Sequence, residues 1–256
     1  MKIRRIHLPK DAVAKMAAPD RNFLLLAGHM QNEINSVHKV FAWCLHSGGS
    51  QSDSSIENLA NGAQAMIYAR VLTGKLCEAW EEVRKAWFGS KLSKRLEPKL
   101  HPVAREANAK LKAYFSRSNT IYRVRNSFAF HYSATEISAS WEPVANDLTF
   151  EVILGGTIGN NLYLGSELAA NAALLKAIDP ANPEQGLRIF FDEVQSTAAN
   201  FTDFLEGAIM AILEDMFGTD IWQLGREEDI FPTLTYAQVK VPYFCLPDIA
   251  NDDTDT

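Results

Sequence analysis

Apolar residues recur in steps of three and four along most of this 256-residue chain, and that rhythm restricts it to helices packed on helices. After Asp20, which can cap a helix, Phe23, Ala27, Met30, Ile34, Val37, Phe41 and Cys44 or Leu45 keep the 3.6-residue period as far as Gly48-Gly49. Ser54-x-x-Glu57 forms a capping box ahead of Leu59, Ala63, Met66, Ala69, Leu72, Leu76, Trp80, Val83 and Trp87, and Gly89 supplies a stop. Residues 90–101 read as a basic connector. Pro102 suits the first position of a third helix, with Val103, Ala107, Leu111 and Tyr114 on its apolar side. Ser118 or Asn119 can cap a fourth through Ile121, Val124, Phe128 and Tyr132, and Pro183-Glu184 opens a last long helix that runs to Gly218.

Between the fourth and last helices the pattern changes. Residues 133–144 predict a short helix, Leu148 to Leu154 a strand, and Ser166 to Ile178 another helix. Gly and Asn in the segment 155–161 suit the turn of a small hairpin with Leu162-Tyr163-Leu164. The fold expected is mainly α: an up-and-down helical bundle with a small β-hairpin insertion near 148–164. No repeat or linker divides it, so residues 1–256 read as a single domain. Its bundle core lies at about 20–132, the hairpin and additional helices at 133–218, and a mixed C-terminal extension at 219–256.

Composition narrows the class further. With 47% hydrophobic and 22% charged residues, wholesale disorder, a collagen repeat and a disulfide miniprotein are excluded. Apolar runs of five or six residues fall far short of the roughly 20 that a spanning helix needs, so no membrane association is expected. The first ten residues are basic but precede no apolar stretch, and do not read as a secretory signal. Cys44, Cys77 and Cys245 are odd in number and widely spaced, as in reduced cytosolic thiols, so the expected location is cytoplasmic. The net charge of -6 argues against a generic nucleic-acid-coating protein, yet it is unevenly spread. Between Arg84 and Arg125 twelve Lys or Arg face only Glu97 and Glu106. That segment is either a phosphate-binding surface or a solvated helix face balanced by acidic neighbours.

Several chemistries lack their residues. The glycines at 155–159 do not form Gly-x-Gly-x-x-Gly, and no Gly-Lys-Ser/Thr follows, so no nucleotide cofactor is expected. His29 and Glu33 stand four apart on one helix without His-Glu-x-x-His or a clear third ligand, which reads as a surface hydrogen bond rather than a metal site. Gly-x-Ser-x-Gly is absent, and no cysteine carries a nucleophile signature.

One motif stands apart: Arg125-Asn126-Ser127-Phe128-Ala129-Phe130-His131, inside the predicted fourth helix. An arginine, a polar residue and then a histidine a few positions on resembles the signature of the HEPN superfamily of helical-bundle ribonucleases. Arg95 and His101 share the spacing, but Leu96 follows the arginine and Pro98 interrupts the segment. The resemblance implies a metal-independent endoribonuclease in which a 2'-hydroxyl attacks its own phosphodiester. His131 would be the acid/base, Arg125 would stabilise phosphate charge and Asn126 would orient neighbouring groups, with Arg117, Arg123 and Tyr132 as candidate RNA contacts. Six helical residues separate Arg125 and His131 by about 9 Å along the axis and roughly 120° around it, so one helix does not close a site. The resemblance accordingly implies a homodimer with a composite cleft, RNA as substrate, and a toxin or antiphage role with a possible antitoxin protein. The alternative is a non-catalytic HEPN-like protein- or RNA-interaction module.

Overall fold

The computed structural model describes residues 1–47, 55–129 and 149–246, together with 135, 138, 141 and 144. A strand β1 (Lys2–Arg5) and a short helix α1 (Lys10–Ala14) precede two long helices, α2 (Ala18–Ser47) and α3 (Ile56–Ala86). Then come α4 (Lys91–Leu96), continued by a 3₁₀ turn at Glu97–Lys99, α5 (Pro102–Phe115) and α6 (Thr120–Val124). The chain passes from α6 into a π-helical turn at Arg125–Ala129. Two further helices follow, α7 (Leu164–Ile178) and α8 (Pro183–Phe217), and a strand β2 (Arg226–Asp229) lies near the end.

Four of these helices form the bundle, and the residues that touch fix their directions. Phe23 meets Trp87, Glu33 meets Lys75 and Cys44 meets Gln64, so α3 runs antiparallel to α2. Phe41 meets Phe191 and Asn35 accepts from Thr202, so α8 also opposes α2. Tyr114 bonds Glu193 while Ala104 abuts Gly207, so α5 opposes α8. The chain is a mainly helical, alternately up-and-down bundle whose continuous core runs from Phe23 to Ile221. Helix α8 belongs to that core through Phe190, Phe201 and Phe204, which extends the bundle well past the 20–132 stretch read from the sequence. Among the described residues, no helix is long and apolar enough to cross a membrane.

Local chemistry explains most boundaries. Pro102 opens α5, Asn182 caps α8, and Gly218 closes α8 in the left-handed conformation that glycine adopts without a Cβ penalty. The cap of α3 is Ser55, whose hydroxyl accepts from the Asn58 amide at 3.2 Å; Ser54 lies outside the described residues. The connector at 90–101 is helical instead of irregular. Ser90 caps α4, and Leu92, Leu96 and Leu100, four apart, bury one stripe of it against the bundle.

The hairpin expected near 148–164 is reduced to its smallest form. Residues 149–164 hold one antiparallel bridge, Ile153 with Leu162, and the sheet of the described residues joins β1 to β2 instead. The loop is tied elsewhere: the Asn160 side chain accepts from the Cys245 amide at 2.9 Å, and the Tyr243 hydroxyl donates to the Asn161 carbonyl at 2.8 Å. These bonds tie the bridged loop to the C-terminal stretch as well as to itself. The β1–β2 ladder sets Lys2 opposite Asp229 and is reinforced by Lys2 and Arg4 on Glu227. The predicted helix at 133–144 falls almost wholly outside the described residues.

Candidate functional site

Arg125 owes its position to the element before it. Asn119 caps α6 by accepting from the Tyr122 amide at 2.8 Å, while Ile121 and Val124 sink into the core. Two phenols then pin the helix. Tyr122 donates to Glu81 on α3 at 2.8 Å, and Tyr114 donates to Glu193 on α8 while accepting from the Ile121 amide. Burial, with the neighbouring carboxylates adding to it, pushes both phenols well above the ordinary tyrosine range, so both stay protonated as donors.

At this fixed base the backbone widens into the π turn, a geometry found disproportionately at functional sites. The Arg125 guanidinium donates through Nη2 to Glu78 at 2.8 Å and through Nη1 to its neighbour Asn126 at 3.2 Å. Its Nε is buried and has no partner among the described residues. The Glu78 hydrogen bond holds the guanidinium firmly protonated. Beneath it, burial raises the Cys77 thiol to about 11, which leaves that sulfur an inert core group despite the adjacent arginine.

The remaining sequence candidates separate in space. Arg125 and Asn126 are brought together, with Phe128 half-buried behind them against the core. Arg123 turns away to the Ala177 carbonyl at the end of α7. Arg117 is exposed on the α5–α6 connection, where its carbonyl accepts from Asn119 and its guanidinium has no partner among the described residues. His131 and Tyr132 lie outside the described residues. Arg95, of the same-spaced pair, bridges Asp20 at 2.7 Å and Asp215 at 3.1 Å, joining α2, α4 and α8. His101 sits just before α5 without capping it.

Nine of the twelve cations between Arg84 and Arg125 bond acidic side chains or backbone carbonyls of the described residues. Lys91, Lys94 and Arg117 are left open. His29 and Glu33 pair at 3.7 Å, and Glu33 also accepts from Lys75 at 2.6 Å, a bond that holds its carboxyl below the usual range. No group of three His, Cys, Asp or Glu among the described residues could hold a metal ion. Sequence reasoning missed Glu78 and Glu81. Each stands more than forty residues before its partner, Glu78 before Arg125 and Glu81 before Tyr122, and only their spacing on one turn of α3 hinted that they share a surface.

No protein-family model matches this chain, and neither the curated proteins nor the solved structures include a significant match to it.

Proposed function

We propose that the chain is a metal-independent endoribonuclease of the HEPN type, acting as a homodimer. The observation that carries this reading is the pair formed by half-buried Arg125 and exposed Asn126 on a π turn at the end of a helix anchored in the core. A planar guanidinium fits a phosphodiester and the negative charge that grows on it, while the Asn126 side chain steadies the arginine. His131 supplies proton transfer, because an imidazole titrates near neutral pH. The 2'-oxygen forms its bond to phosphorus as its proton passes to the base. The bond from phosphorus to the 5'-oxygen breaks, and a proton from the acid completes the leaving hydroxyl. The products are a 2',3'-cyclic phosphate and a 5'-hydroxyl.

Purified protein should therefore cut single-stranded RNA in EDTA. His131→Ala should lower the rate about 10²- to 10⁴-fold, and Arg125→Ala by a comparable factor. Arg95→Ala and His101→Ala should cut at near the wild-type rate, since Arg95 is spent on Asp20 and Asp215. Cleavage that needs a divalent ion, or that survives His131→Ala, would overturn the assignment. A specific observation favours a second reading, a non-catalytic interaction module: most of the basic segment, Arg125 included, is already neutralised within the chain. RNA binding without cleavage, unaffected by His131→Ala, would establish it.

A further inference from the structure

Arg125 presents a limited edge. Its Nε is buried, so a phosphate can approach only through Nη1 and Nη2, and those nitrogens already serve Asn126 and Glu78. We propose that Glu78 is a built-in competitor for phosphate: its carboxylate occupies the place on Arg125 that an RNA phosphate must take, and binding requires its displacement. This inference rests on the reading of Arg125 as the phosphate-binding group.

Three features make Glu78 the gate and leave its neighbours as scaffold. Its sole polar partner among the described residues is Arg125, and with its side chain 56% exposed the pair is a weak, screened one that a phosphate can break. Glu81, the next carboxylate along, is committed to Tyr122 at 2.8 Å and Arg84 at 2.7 Å. A released Glu78 side chain also has somewhere to go. A cavity of about 150 Å³ between α2 and α3 is lined by Glu78 together with His29, Glu33, Lys75 and Glu82, so the carboxylate has room to turn along α3, where it would share the Lys75 ammonium with Glu33. While the gate is closed, Arg125 is neutralised and the adjacent α3 surface repels nucleic acid. Opening it frees the Nη2 donor, beside the Nη1 that Asn126 steadies, for a phosphate oxygen.

The test is binding of a fluorescein-labelled, 2'-O-methyl 12-nucleotide single strand, which cannot be cleaved, followed by anisotropy on the full chain. Glu78→Gln keeps the shape and removes the charge, and should bind roughly 3- to 10-fold tighter than wild type. Glu82→Gln, the same charge change one turn along α3, should shift affinity less than about twofold. In an Arg125→Ala background, Glu78→Gln should gain nothing. The gate is overturned if Glu78→Gln binds no tighter than wild type, if Glu82→Gln gains equally, or if the gain persists without Arg125. Cleavage of unmodified RNA separates this from the enzymatic reading. An Arg125-dependent nuclease without the Glu78→Gln gain removes the gate alone. The gain without any cleavage leaves a gated RNA-binding module and removes the nuclease.

Discussion

Tyr114 shows how much of the candidate site depends on single buried contacts. Its hydroxyl donates to Glu193 and accepts from the Ile121 amide, so one oxygen ties α5, α6 and α8 together. Tyr114→Phe removes the donor and leaves a partly buried carboxylate short of a partner. Urea unfolding should show a loss of about 1–3 kcal/mol, and under the enzymatic reading RNA cleavage should fall with it, because α6 leads into the turn that holds Arg125. His38, half-buried on α2, makes a pH-dependent contribution. Burial pushes its pKa below the ordinary 6.5, so the folded chain binds its proton less readily than the unfolded chain does. Stability from this group is complete above pH 6.5 and is lost as pH falls from there toward its folded pKa. His38→Gln should flatten the unfolding midpoint between pH 7 and pH 5. A midpoint that falls equally in wild type and variant would assign the dependence to other groups. Individual contacts of this kind were not legible in the sequence: Tyr114 and Glu193 are 79 positions apart, and only the packing of α5 on α8 makes them partners.

At the scale of elements, the sequence was most legible where local chemistry decides a boundary. Pro183 and Gly218 bracket α8, and Pro102 opens α5, because a missing amide and a left-handed residue act within one turn whatever surrounds them. The crossing of α5 over α8 depends on something else. A Cβ at Gly207 would collide with the Cβ of Ala104, so the two backbones approach as closely as they do because glycine stands there. Gly207→Ala should force the helices apart and destabilise the chain by about 1–3 kcal/mol in chemical denaturation, despite the higher helix propensity of alanine. A neutral or stabilising result would mean that the helices can shift at no cost. The π turn at Arg125–Ala129 was not legible. Ile121, Val124 and Phe128 fit an ordinary helix equally well, and the widening shows only in the backbone of the folded chain.

For the whole molecule, the bundle joins residues from nearly the full length of the chain. Phe23 and Phe204 both pack on Trp87, and the ladder of β1 with β2 brings the beginning of the chain to residues 226–229. A single copy of the chain pairs Arg125 with its own Glu78, so the enzymatic reading demands a second copy to complete a cleft. Light scattering at micromolar concentration should give twice the mass of the chain. A strict monomer that still cleaves RNA would exclude the composite site.

The helical class, the approximate extent of α2, α3, α5, α7 and α8, and the apolar stripe of each were legible in the residues alone, because periodicity and capping are local properties. The sequence also singled out Arg125 and Asn126 as neighbours on one turn. That α8 is a full member of the bundle, and that the bridged loop at 149–164 is tied to the C-terminal segment, showed only in the folded chain. The folded chain alone shows that the basic segment is largely neutralised and that Glu78 faces Arg125. Each of these depends on pairing between residues tens of positions apart, where the energy belongs to contacts that no local window contains.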